Sequence, residues 1–374
     1  MQKKINKIII APDSFKGTMS SIEVGKIIAD AVRAVLPECG IISLAIADGG
    51  EGSIDAFLHN NSGIKVPCRV TGPNFKKVDC VFGLIEDKAI VEIAQCAGLP
   101  LAEPKNPGIT TTFGVGELID EAIKRGAREI TLALGGSATN DCGAGMAAVL
   151  GAVFYNKEGK AFVPVGETLR DIVRIDISGV REKLRGIKIK AMCDVKNVLY
   201  GENGAAYIYA GQKGAGPKQI TELDEGLRHI ARIIYRDTGV DVSSIQGGGA
   251  AGGLGAACAA FLGGSLISGI DAVLEMCGFE ETAADADIII TGEGKFDRQS
   301  LMGKVVDGIS KKSPDKAKLI VIAGKIDISE TDYKKAGIYA VFQTSAPAKT
   351  FEQIKRTCRE DLYLTAKKAV ETLL

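Results

Sequence analysis

The chain holds only two histidines, and none of its nine cysteines forms a Cys-x-x-Cys pair. A histidine-based zinc site and a Ser-His-Asp triad are therefore poor readings of its chemistry. The odd cysteine count, with most thiols in apolar surroundings (Cys80, Cys142, Cys193, Cys258, Cys277), points to reduced, packed cysteines in a cytoplasmic protein. Charge of either sign is not in excess, since Lys+Arg and Asp+Glu are both 46. With no basic stretch and no aromatic platform, nothing marks a nucleic-acid, membrane-surface or polyanionic partner. Met1 to Ile10 carries lysines but no long apolar core or cleavage site, so it does not read as a signal peptide. One long uncharged stretch exists, Ile245 to Ile270. It is mostly Gly and Ala, its glycine doublets would break a spanning helix, and it reads as a glycine loop followed by a buried helix. A Walker A motif is also missing, because no Gly-Lys pair is followed by Ser or Thr.

Glycine, by contrast, is abundant: 46 of 374 residues, clustered where apolar runs end. A hydrophobic content of 46% supports a large core and suggests two domains. Both chain ends share a β-α grammar. Strands are expected at Lys7–Ala11, Ile41–Ala47, Asp287–Thr291, Leu319–Ala323 and Gly337–Gln343. Helices are expected at Ser20–Val35 (capped by Ser20 or Ser21), from Gly52 to Asn60, at Gly303–Lys311 and at Phe351–Leu374. Five strands alternating with helices suffice for one doubly wound parallel sheet. The middle opens with a meander, Val66–Val70, Val78–Ile85 and Ala89–Gln95. It continues with a strand–loop–helix at Ile130–Leu150, a strand at Ile187–Cys193 and a helix at Pro217–Arg236. We read it as a second α/β domain, residues 64–283, inserted into the first, residues 1–63 and 284–374.

Ligands in such sheets bind outside the carboxyl ends of the strands, and three loops there carry suitable chemistry. Asp13, Ser14 and Lys16, followed by Gly17 and a helix, suit an anion; an ordinary turn with Asp13 bonding its own backbone explains the same residues. Asp48-Gly49-Gly50-Glu51-Gly52 sets two carboxylates among three glycines, fit for Mg²⁺ or substrate hydroxyls. Thr291-Gly292-Glu293-Gly294-Lys295-Phe296-Asp297 repeats that chemistry. In the middle, Gly135-Gly136-Ser137-Ala138-Thr139-Asn140-Asp141 reads as a phosphate cradle. The run Gly247 to Gly255 serves similarly or lets a helix pack closely. Asp194 ends a strand, as a base, a metal ligand or a structural acid, and Lys213 is a candidate phosphate partner. His59 and His229 sit at helical positions and read as packing or surface residues, so any base must be a carboxylate.

These stretches, with Cys193-Asp194-Val195, Gln212-Lys213-Gly214-Ala215 and Gly249 to Gly255, resemble the class I glycerate kinases, the bacterial glycerate 2-kinase type. The resemblance runs from about residue 5 to the C-terminus, in the family's order and spacing. It departs at Tyr209-Ala210-Gly211, where Phe-Gly-Pro is usual, and at Cys142, where glycine is common. It implies a flavodoxin-like domain carrying an inserted α/β domain, and ATP-dependent phosphorylation of D-glycerate to 2-phosphoglycerate with Mg²⁺. Phosphoryl transfer needs cations on phosphate and a carboxylate near the attacking hydroxyl. On that reading Lys16, Lys213 and Lys295 neutralise charge, while Asp13, Ser14, Gly49, Gly50, Ser137, Thr139, Asn140 and Glu293 bind substrate or phosphate. Asp48 and Glu51 bind substrate or Mg²⁺, and Asp194, then Asp297, is the base. A kinase of another short hydroxy acid and a silent ligand-binding regulator remain as alternatives, and the oligomeric state is open between monomer and homodimer.

Overall fold

The computed structural model describes residues 5–47, 49–50, 52–344 and 349–373. The chain divides into two compact units, one of Met1–Asp48, Asp55–Asn61 and Gly269–Leu374, the other of Gly49–Ile54 and Ser62–Ser268.

The first unit is built on short runs of isoleucine. Lys7–Ile10, Gly40–Ser43, Ile288–Asp297, Lys318–Asp327 and Ile338–Gln343 form one parallel sheet. Numbered along the chain, these five strands lie in the order 2-1-3-4-5, the flavodoxin-like arrangement. Parallel strands are covered on both faces, and the sequence complies. Ile8, Ile10, Ile288, Ile290, Ile320 and Ile322 pack under the helices Ser21–Val35 and Phe351–Glu371. Ile9, Ile289 and Val321, one residue out of phase, are fully buried as well. Ser20 starts the first helix with a capping box: Glu23 N–H donates to Ser20 Oγ (3.2 Å) and Ser20 N–H to Glu23 Oε2 (3.0 Å).

The third strand corrects the expected Thr291–Asp297 loop. It runs on through Asp297, paired with the fourth strand as Glu293 with Ala323, Lys295 with Lys325 and Asp297 with Asp327. The first strand stops pairing at Ile290, so this extension is a two-stranded ribbon. Glycine permits it by close approach rather than by turning. A Cβ on Gly292 would lie 2.2 Å from Ile322 O, and one on Gly324 2.5 Å from Gly294 O.

The second unit holds a six-stranded sheet in the order Ser265–Ile267, Lys188–Met192, Glu129–Ala133, Lys88–Glu92, Lys77–Ile85, Ile64–Thr71. The first four strands are parallel and the last two form an antiparallel hairpin. A small three-stranded sheet (Val153–Tyr155, Ala161–Phe162, Arg174–Asp176) accompanies it. The strand expected to reach Gln95 ends at Glu92, because Ile93 turns helical (φ −63°, ψ −26°) and starts the short helix Ala94–Ala97. The stretch Ile245–Ile270 contains the buried helix Ala250–Ala260, and no helix among the described residues is long and apolar enough to cross a membrane.

Candidate active site

In the order 2-1-3-4-5, the first and third strands are neighbours at the switch point of the sheet, and in such sheets ligands bind beyond the carboxyl ends at that point. Asp13 and Glu293 stand there. Asp13 N–H donates to Gly292 O at 2.8 Å, and Thr291 Oγ1 donates to Ala11 O at 2.8 Å, which ties the two chains together. Both acids are only 8% exposed. Asp13 Oδ1 accepts the Ser14 amide at 2.6 Å, so part of its capacity serves its own turn. Glu293 Oε1 is buried with no partner among the described residues. Burial pushes the Glu293 carboxyl up to about 7; the Ser300 hydrogen bond and Lys304 oppose that rise, while Asp13 and Asp297 add to it.

The other expected residues of this unit are more exposed. Lys16 lies at the surface. At the start of the helix that follows, the capping box already spends the Ser20 and Glu23 amides and sets the Glu23 carboxylate there. Lys295 Nζ pairs with Asp297 Oδ2 (2.7 Å) and Asp327 Oδ2 (3.4 Å) on the ribbon. That hydrogen bond holds the Asp297 carboxyl below the usual range, and Asp297 Oδ1 also accepts the Gln299 amide at 2.9 Å, capping the turn Arg298–Leu301. Asp48 and Glu51 lie outside the described residues.

In the second unit the loop after strand Glu129–Ala133 is buried almost throughout. Lys213, 3% exposed, donates from Nζ to Ser137 Oγ (2.9 Å) and Thr139 O (2.8 Å). Burial lowers its pKa to about 7, against the pull of Asp141. Asn140 is fully buried, and neither its amide nitrogen nor its amide oxygen has a partner among the described residues. Such an amide forfeits hydrogen bonds worth roughly 1–3 kcal/mol per group unless a ligand or water completes it. The loop offers side chains more than backbone to a ligand, since the Ala138 amide is spent on Ala97 O and the Cys142 amide on Gly252 O. Gly49 and Gly50 belong to this unit, and a Cβ on Gly135 would lie 2.9 Å from Gly50 Cα.

The glycine run beyond residue 247 packs on this loop. Ala251, Gly252 and Gly253 are left-handed (φ 52°, 71° and 98°), and a Cβ on Gly252 would meet Thr139 O at 2.0 Å. Asp194 is exposed just past strand Lys188–Met192. Nearby, Tyr209 OH donates to Asn197 Oδ1 at 2.6 Å, a bond that a phenylalanine there could not make.

Sequence reasoning gave no site role to Asp141, Thr112 or Glu92. The buried Asp141 carboxylate accepts from Thr112 N and Thr112 Oγ1 (both 2.8 Å), Gly143 N (3.2 Å) and Gly145 N (3.3 Å). Glu92 Oε1 accepts the Ile54 amide at 2.8 Å, next to the Gly49–Gly50 turn. The threonine run Thr110–Thr112, followed by an apolar helical pattern, is a signal that could have pointed to Thr112. Glu92, one acid at the end of an apolar strand, offered none.

Architecture and loops together define an α/β protein of the class that binds ligands beyond the carboxyl ends of its parallel strands. The family model described as the glycerate kinase family matches residues 8–374. A glycerate kinase of Bacillus cereus is 42% identical, covering 96% of each chain. The glycerate 2-kinase of Escherichia coli K12 is 39% identical, covering 98% of each. A crystal structure of a provisionally named glycerate kinase 2 from Salmonella typhimurium LT2 superposes with a TM-score of 0.90 at 38% identity, covering 99% of this chain and 98% of that one. The chain belongs to the glycerate kinase family, and glycerate kinases are phosphotransferases that use ATP as co-substrate.

Proposed function

We propose that the protein transfers the γ-phosphoryl group of ATP to D-glycerate and releases 2-phosphoglycerate. The observation that carries this reading is the placement of the family-like loops. The loop with Ser137 and Asn140 follows a parallel strand, and there a buried ammonium from the helical turn Gly211–Lys213 meets a hydroxyl (Lys213 on Ser137) beside an unsatisfied amide (Asn140). Phosphoryl transfer is largely positioning and charge neutralisation, which is what such groups supply.

In this reading Lys213, Ser137, Thr139 and Asn140 bind phosphate together with Gly49 and Gly50. Asp13, Ser14, Lys16, Glu293 and Lys295 contact substrate, and a strand-end carboxylate takes the hydroxyl proton, a role for which the sequence argument offers Asp194 and Asp297. Mg²⁺ binds through one or two carboxylates plus phosphate and water. Asp48 and Glu51, on the sequence argument, are the carboxylates that would hold it. Its chemistry would be to neutralise phosphate charge. All nine cysteines are free thiols, which supports a reducing, cytoplasmic setting.

The test is phosphorus NMR of the product formed from ATP, Mg²⁺ and D-glycerate. A 2-phosphate signal is expected. A 3-phosphate overturns the regiochemistry, and no glycerate-dependent product overturns the reading, in which case a panel of short hydroxy acids identifies the acceptor.

A further inference from the structure

Glu293 lies on a paired strand, not on a loop. It lies on a ribbon in register with Ala323, beside the loop that follows the first strand, and one of its oxygens is buried without a partner among the described residues. A buried carboxylate with an orphan oxygen is costly until a proton or a donor arrives there. An acceptor hydroxyl is such a donor.

We propose, building on the phosphotransferase reading, that Glu293 takes the proton from the acceptor hydroxyl, with Asp13 as the positioning carboxylate beside it. In the step the O–H bond breaks and its proton moves to the Glu293 carboxylate. The oxygen forms a bond to the γ-phosphorus, and the bond between that phosphorus and the bridging oxygen breaks, leaving its electron pair on ADP.

The groups facing Glu293 come from four places. Asp13 stands in the loop after the first strand, Asp297 lies further along the ribbon, Ser300 is in the turn Arg298–Leu301, and Lys304 caps helix Val305–Lys312. The neighbouring strand offers only Ala323 in register. Burial is the main force favouring a bound proton and the two acids add to it, while Ser300 and Lys304 oppose it, which leaves the carboxyl titrating at about 7. A base is most effective when its pKa is near the working pH. Asp297 is held strongly ionised by Lys295 and is committed to capping, which makes it the weaker base.

The experiment measures kcat against pH at saturating ATP and D-glycerate for the wild type, Glu293→Gln and Asp13→Asn, with circular dichroism confirming the fold. Glu293→Gln is expected to lower kcat by about 100-fold or more with little change in KM, and to abolish the acidic limb of the profile. Asp13→Asn removes a like charge, so its acidic limb should move to lower pH. Turnover of Glu293→Gln within about threefold of wild type, an unmoved limb in Asp13→Asn, or recovery of Glu293→Gln with added Mg²⁺ overturns the proposal. Should Glu293→Gln not fold, the Asp13→Asn limb decides. Absence of glycerate-dependent ADP release by the wild type would instead overturn the phosphotransferase reading itself.

Discussion

Lys213 reaches back 76 residues to donate a 2.9 Å hydrogen bond to the Ser137 hydroxyl, and it is almost fully buried there. A buried ammonium on a neutral partner is a stored capacity for an anion. The ammonium form dominates below pH 7 and is lost as pH rises through about 7. Nucleotide binding by the wild type should therefore weaken as pH is raised through that point. Lys213→Ala should bind ATP about 10–100-fold more weakly with a flatter pH dependence, as read by titration calorimetry.

Asp141 anchors that loop through four donors. Asp141→Ala leaves them buried and unpaired, and should cost roughly 3–5 kcal/mol in urea unfolding. A loss below about 1 kcal/mol would show that water replaces the carboxylate.

Gly252 is the close contact between the second glycine run and the cradle. Gly252→Ala puts a methyl 2.0 Å from Thr139 O at φ 71°, so the loop must shift. Expected are a stability loss of roughly 2–4 kcal/mol and a matching loss of turnover. Wild-type kinetics with a lower melting temperature would separate the packing from the site.

Lys16→Ala should raise KM or lower kcat without lowering the melting temperature, because the side chain is exposed. Asp194→Asn tests the alternative base by the same kinetics: near-normal turnover removes that role.

Ser20→Ala breaks the capping box without removing any residue placed in the strand-end clusters. About 1 kcal/mol of stability should be lost with unchanged steady-state constants.

Local signals were legible wherever one short-range rule decided the outcome. Isoleucine runs bounded by glycine marked the buried parallel strands, and Ser20 with Glu23 marked a helix start. The cluster around Ser137, Thr139 and Asn140 was legible because loop composition points to it. The ribbon through Glu293 was not. Its glycines look like loop residues in one dimension, and only the neighbouring strand shows that they serve close backbone approach. Thr112 and Glu92 were missed for a related reason, since each acts through a partner about 30 or more residues away.

By itself the sequence determined the alternation of strands and helices, the shared grammar of the two chain ends, and the loops that bear chemistry. These follow from periodicity, turn residues and residue type, all of them local. Tertiary structure decided the 2-1-3-4-5 order, the burial that brings Lys213 and Glu293 near neutrality, and the placing of Asp13 beside Glu293. Those depend on dielectric and distance between residues as many as 280 positions apart, and no local pattern encodes either.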